Sequence, residues 1–432
     1  MKQIKRHFRA SIIELCFLIP LVPHLASCGN AKPPERIVLI VVDTLRADVL
    51  PPYGGPAKAP VIESLAKRGQ VFGNAIASFH QTPMSMTAML TGLTPSIETG
   101  DPDSPLGMTG QTSCGLTRFG AASDRRGCVP SSVETLAEVL KEAGYWTMGV
   151  VSNGLLFAPF GLQEGFDDWV EVGVGSVPPE KLSPATRRRL RKSRAAGAVN
   201  AAAMEVLRRR PIERFFYYVH YMDVHDYVET LDWEREYLAK IPTADEAIGE
   251  ILDALEERGL LDDAVVILTS DHGERLFERH LVPGKISHQG NPSFEEVLQI
   301  PLIISPPWFD DTASIVRTQD IFALIARIAG VETALRPDLE PDELYLSESE
   351  WQTYRRGRWK SFRRRSDGAL YLIDLAADPA EARDASHDRP GVVREHQERI
   401  SVLSRTLAAT EALRSELSPD YEGRLRALGY LE

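Results

Sequence analysis

The stretch "FHQTPMSMTAMLTG", Phe79 to Gly92, carries three hydroxyls, Thr82, Ser85 and Thr87, at the front of a run of small residues suited to a helix start. A hydroxyl in that position is either a nucleophile or ordinary helix-start polarity. Elsewhere, acid and imidazole groups stand directly after apolar runs. Asp43 closes "RIVLIVVD", and Asp271 with His272 follows "VVILTS". Carboxylate oxygen and imidazole nitrogen together suit a hard-to-borderline divalent cation, with the Thr82 oxygen as a fourth ligand. Coordination lowers the pKa of a hydroxyl and yields an alkoxide near neutral pH. Taken singly, Asp43 reads as a cap for the following turn and Asp271–His272 as a hydrogen-bonded loop pair. Taken together at strand ends, they read as one site. A histidine ligand favours Mn or Zn over Ca or Mg, with one ion per four-ligand set.

The elements that must position these groups alternate. "RIVLIVVD" is the continuous aliphatic run of a buried parallel strand. "APVIESLAKRGQVF" has helical spacing, and "SSVETLAEVLKEAGYWTMGVVSN" reads as capped helix, Gly144 stop and strand. "RFFYYVHYMD" is strongly β-prone; "ADEAIGEILDALEERGLLDDAVVILTSDHGE" gives helix, turn and strand; "LQIPLIIS" is a further strand. Strands alternating with helices imply an α/β fold, a large, mostly parallel, mixed sheet sandwiched by helices. Ligands of such sheets bind at the carboxyl ends of the strands. That rule places Asp43, His220, Asp223, His225, Asp271 and His272 along one edge. Residues 97–130, rich in Gly, Pro and Ser, read as a surface loop outside the core. The basic run "RRRLRKSR" within 176–213 reads as a solvated face. From about residue 345, short alternating runs around an "SDG" turn and the amphipathic "GVVREHQERISVLSRTLAATEALRSE" suggest antiparallel strands and a helix. The expected divisions are 1–27, 28–36, a catalytic α/β domain at 37–335 and a C-terminal α+β subdomain at 336–432.

Residues 1–27 hold Lys2, Lys5, Arg6 and Arg9 against Glu14. Of the formal charge of −12, this leaves the remaining chain at −15. An acidic body excludes general nucleic-acid binding, which needs basic surface to release counterions. The basic start and the short apolar run "SIIELCFLIPLVPHLA" form a signal peptide too short and interrupted to span a membrane comfortably. "LASC" then resembles a bacterial lipobox in which Cys28 is lipidated, with "GNAKPPER" as tether; an ordinary cleaved signal is the alternative. The expected location is the bacterial cell envelope, with the membrane as partner through that lipid. Cys114 and Cys128 can close a disulfide in an oxidising compartment, and so few cysteines exclude a zinc-thiolate centre.

The quoted motifs fall in a recognisable order. "VVDTLRADVLPPYG", "LTGLTP", "TLAEVLKEAGYWT", "VHYMDVHDY", "SDHGE", "EVLQIPLII", "LYLIDLAADP" and "LRALGYLE" resemble, from about residue 36 to the end, the sulfatase family of the alkaline phosphatase superfamily. Family members that use formylglycine carry a Cys or Ser, then Pro two residues on and Arg two further. Counting back from Gly92, those positions hold Thr82, Met84 and Met86, so formylglycine cannot form. The first strand also ends in one Asp where the family has two. Asp43, Thr82, Asp271 and His272 resemble the single-metal, threonine-nucleophile set of phosphoglycerol and phosphoethanolamine transferases. The resemblance makes His225 a substrate-binding His and His288 the His preceding the "EEVLQIPL" segment. His220 and Asp223 are neighbours for substrate or only strand-end hydrogen bonders, Lys285 is a cation for an anionic ester, and Arg46 is either a substrate clamp or a partner of Asp48.

These residues imply in-line attack by Thr82 on a tetrahedral ester of a small molecule, glycan or lipid, with phosphoester or phosphodiester chemistry preferred to sulfate. A group transferase of the phosphoethanolamine or phosphoglycerol type is the second reading. A surface-anchored binding lipoprotein with a decayed site is the third.

Overall fold

The structure, a computed structural model, describes residues 32–96, 114–116, 129–130, 132–157, 161–173, 195–209, 213–226, 232–276, 278–282, 293–333, 338–348 and 350–408. In chain order its strands are β1 (Arg36–Val42), β2 (Gln70–Val71), β3 (Ala75–Ile76), β4 (Trp146–Val151), β5 (Asp168–Glu171), β6 (Phe215–Tyr221), β7 (Ala264–Thr269), β8 (Leu302–Ser305) and β9 (Val316–Arg317). They continue with β10 (Glu343–Ser347), β11 (Trp351–Arg356), β12 (Trp359–Arg364) and β13 (Leu370–Asp374). The main sheet has the order β2-β8-β7-β1-β6-β4-β5. β1 runs parallel to β6 and β7, β4 runs parallel to β5 and β6, and β8 is antiparallel to β7 and β2. The fold is therefore the expected mixed α/β sandwich.

β1 explains why a strand can be apolar throughout. Its side chains alternate: Ile37, Leu39 and Val41 enter one core, and Val38, Ile40 and Val42 enter the other. Helices cover both faces, so neither set meets water. The first core takes the helix Thr82–Thr91, every residue of which is buried, with the helix Thr318–Ile328 beside it. The second takes the helices Ala196–Arg209 and Ile241–Glu256.

One expectation needs correction. Within the segment read as a surface loop, Cys114, Leu116 and Val129 are buried in the first core. A Gly- and Ser-rich composition reports backbone freedom, and it conceals isolated apolar anchors. Cys114 is disulfide-bonded; Cys128, Cys28, Lys285 and His288 lie outside the described residues. Among the described residues, no helix is long and apolar enough to cross a membrane.

Strands β10 to β13 form a separate antiparallel sheet, each strand paired with the next. The helix Pro390–Thr406 lies on it, through Ile400 and Leu403 against Tyr345 and Tyr354. A buried ionic network joins this sheet to the catalytic layer. Lys360 Nζ reaches Glu295 at 2.9 Å and Glu381 at 2.8 Å, and Arg355 reaches Glu295 at 3.0 Å. Burial pushes Glu381 up to about 7, against the pull of Lys360. His280 lies at this junction, its Nδ1 donating to the Ala380 carbonyl at 2.9 Å and its Nε2 2.6 Å from Glu296. Removing one partner of a buried ion pair leaves the other charge uncompensated. Replacement of Lys360 by Met should therefore destabilise the fold by about 3–5 kcal/mol, measured by denaturant unfolding. A change near zero would show that the network contributes little to stability.

Candidate active site

Period-two geometry brings the site together. Beyond Val41, Val151 and Ile267 on the first-core face, the next same-face residues past the strand ends are Asp43, Asn153 and Asp271. His220, in register with both Val41 and Val151, points to that same face. Thr82 opens the helix that covers it.

Asp43 and Asp271 are both fully buried, and each has one satisfied and one orphaned oxygen. Asp43 Oδ2 receives Asn153 Nδ2 at 2.7 Å, His220 Nε2 at 3.2 Å and the Thr82 hydroxyl at 3.3 Å. Asp43 Oδ1 has no hydrogen-bond partner. Asp271 Oδ1 takes the amides of His272 at 2.9 Å and Thr44 at 3.2 Å, while Asp271 Oδ2 has no hydrogen-bond partner. His272 Nε2 lies 3.4 Å from that second oxygen and 3.3 Å from Thr82 Oγ1. His272 Nδ1 is 2.8 Å from the Gly273 carbonyl. A carbonyl only accepts, so Nδ1 carries a proton, and Nε2 is the nitrogen that faces the carboxylates.

Burying two carboxylates with an oxygen each unpaired is costly, and a cation offsets that cost. The ligand atoms of Asp43, Asp271 and His272 lie within 4.8 Å of one another. The residues therefore fit a divalent metal. Burial opposes ionisation of Asp43, but the His220 hydrogen bond and the nearby His225, His220 and His272 hold its carboxyl well below the ordinary range.

Of the three hydroxyls on this stretch, Thr82 and Ser85 are separated clearly. Ser85 Oγ donates to the Asp271 carbonyl at 2.6 Å and touches Thr318, so it clips helix to strand end. Thr82 faces Asp43, Asn153 and His272, at the positive end of a ten-residue helix, where negative charge on oxygen is stabilised. Gly273 explains the glycine of "SDHGE": a Cβ there would lie 2.1 Å from the Glu296 carbonyl oxygen.

Other expected residues take distinct places. The side chain of His225 is 23% exposed, with Nδ1 3.8 Å from Asp226, yet it lies close enough to influence Asp43. Asp223 takes a hydrogen bond from the Ala196 amide, and burial raises its pKa. Arg46 is bound by Asp48 at 2.7 Å, Glu278 at 2.5 Å and the Glu274 carbonyl at 3.1 Å, the Asp48 partnership being one of the two alternatives. Asn153 escaped the sequence reading. Its signal was the same parity as Val151, at the end of a strand already recognised.

A family model described as Sulfatase matches residues 35–330, more than half of the chain. A choline-sulfatase of Rhizobium meliloti is 29% identical over 181 residues, 37% of this chain and 34% of the relative. The multifunctional alkaline phosphatase superfamily protein PehA of Trinickia caryophylli is 40% identical over 68 residues, 16% of this chain and 12% of the relative. The chain thus spans about a third or less of the length of these curated relatives. Among solved structures, a putative sulfatase of Bacteroides thetaiotaomicron superposes with TM-score 0.65 at 15% identity, covering 90% of this chain and 96% of that one. The phosphonate monoester hydrolase of Agrobacterium radiobacter superposes with TM-score 0.61 at 16% identity, covering 89% and 98%. At these identities the superpositions report the fold.

If the orphaned oxygens await a cation, adding Mn or Zn should raise the thermal midpoint of the metal-free chain, saturably, by preferential binding to the native state. Asp43→Asn should abolish most of that rise. A rise of equal size in Asp43→Asn would show that the ion binds elsewhere.

Proposed function

The chain belongs to the sulfatase family, and from that premise we propose that it hydrolyses tetrahedral anionic esters with Thr82 as nucleophile. The observation that carries this reading is the contact of Thr82 Oγ1 with Asp43 Oδ2 and His272 Nε2, each at 3.3 Å. Asp43, Asp271, His272 and Thr82 would hold one divalent ion, with Mn or Zn favoured by the histidine. When bound, such an ion lowers the pKa of a ligating hydroxyl and stabilises charge on ester oxygens.

The residues supply the remaining chemistry. With His272 Nε2 committed to the ion, the acceptor within reach of the Thr82 proton is Asp43 Oδ2. A bond forms from Thr82 Oγ1 to phosphorus or sulfur in line with the departing oxygen. The bond to that oxygen breaks, and the alcohol leaves with a proton donated by His225 or by His288. Water then cleaves the Thr82 ester and regenerates the hydroxyl. Asn153 aims Thr82 by donating to its oxygen at 3.3 Å. Lys285 would add a cation for the anionic substrate, and Arg46, bound to Asp48 and Glu278, would fix the loop after β1.

Phosphodiester and related phosphorus esters are preferred to sulfate in this reading, because position 82 cannot become formylglycine. The solved phosphonate monoester hydrolase supports phosphorus chemistry on this fold, and sulfatases solved with sugar substrates support anionic glycans as a class. Export and anchoring through Cys28 complete the proposal, with the bacterial cell envelope as location.

Turnover of aryl sulfate, aryl phosphate and bis-aryl phosphate by metal-loaded enzyme tests it. The diester should be cleaved fastest, and Thr82→Ala should lose at least about 10³-fold in kcat, as expected when covalent catalysis is removed. Equal turnover in Thr82→Ala would reject the nucleophile. A preference for aryl sulfate would reject the assigned chemistry.

A further inference from the structure

His220 reads from sequence as a neighbour for substrate or only a strand-end hydrogen bonder; it is fully buried within β6 and meets Asp43 through Nε2. Its other nitrogen, Nδ1, lies 2.8 Å from the hydroxyl of Tyr218. The two residues are separated by two positions on one strand, so they share a face, and Asp43 follows β1 on the same face. Hydrogen-bond inventory fixes the proton at the Asp43 end of this chain. Asp43 is ionised and only accepts, so His220 Nε2 must donate to it. The Tyr218 ring sits among Phe166, Trp169 and Phe216, in the apolar first core. Burial raises the pKa of its hydroxyl, so the phenol stays protonated beside Nδ1.

We propose that Tyr218 and His220 act as positioning residues that orient Asp43, holding Oδ2 by a fixed hydrogen bond so that Oδ1 is presented to the metal. The inference rests on the metal-site reading above and goes beyond it in assigning a buried relay that touches neither substrate nor ion. A free carboxylate rotates between two equivalent faces. Here three donors on Oδ2 remove that freedom, and two of them, Asn153 and Thr82, also belong to the nucleophile's own contacts. Asn153 is held from behind by the Leu155 amide at 2.9 Å, and His220 by the Tyr218 hydroxyl, the one side chain behind a donor.

The test is metal affinity, measured on full-length metal-free protein by calorimetric titration with Mn and with Zn, alongside kcat and KM. Losing an outer partner of a metal ligand typically costs about 10–100-fold in affinity. His220→Ala should fall in that range, and His220→Gln, whose amide can replace the Nε2 donor, should recover most of it. Tyr218→Phe, which deletes one oxygen and keeps the ring, should lose less than about tenfold. It also provides a folded variant if His220→Ala does not fold. Unchanged metal affinity in all three variants with a raised KM would overturn the proposal in favour of substrate binding. A His220→Gln protein as weak as His220→Ala would overturn it in favour of direct ligation. If the wild type itself binds no metal, the underlying reading fails, and that result is distinguishable from both.

Discussion

Two carboxylates buried side by side at the carboxyl ends of adjacent parallel strands are the constraint around which this molecule is organised. Neither Asp43 nor Asp271 meets solvent, and each is satisfied on one oxygen alone. Such an arrangement is unfavourable in the apo state, where like charges approach one another in a medium of low polarity. Everything nearby reduces that cost. Backbone amides of Thr44 and His272 address one carboxylate, and Asn153, His220 and Thr82 address the other. The positive end of the Thr82–Thr91 helix adds a field of the right sign.

Much of this was legible from sequence because the physics that buries a parallel strand also marks where it stops. Seven aliphatic or amphipathic residues followed by Asp43, and six followed by "SDHGE", announce strand ends facing a ligand edge. The replacement of Cys or Ser by Thr82 was equally readable, since it is a matter of counting. What sequence could not supply was atom-level direction. His220 belongs to the strand-end cluster by position, but only the paired distances on its two nitrogens reveal that it lies between Asp43 and Tyr218. Asn153 was invisible for another reason: an amide carries no charge to attract notice, although the alternation of β4 sends it to the right face. The buried anchors Cys114 and Leu116 were hidden by the glycines and serines around them.

The C-terminal sheet is bound to the main α/β layer by charge as well as by apolar area, the latter through Leu344 and Leu346 in the first core and Trp351 and Phe362 against Phe294. Lys360, Arg355, Glu295 and Glu381 form a compact set in which two cations meet two anions away from water. The short helix Glu295–Leu298 carries one of those anions and also closes over Gly273, so the network reaches the loop that bears His272. A second contact runs from Glu348, just after β10, to His80, two residues before Thr82, at 3.2 Å. The small subdomain thus touches the chain just before Thr82 and, through Glu295, the segment packed on the His272 loop.

The Ser85 hydroxyl, bonded to the carbonyl of Asp271, has a kinematic meaning. It ties the front of the helix Thr82–Thr91 to the chain segment carrying Asp271 and His272. Thr82 and those two groups are thereby joined through one hydrogen bond, over a path far shorter than the nearly two hundred residues of chain between them, so a shift of either element is felt by the other.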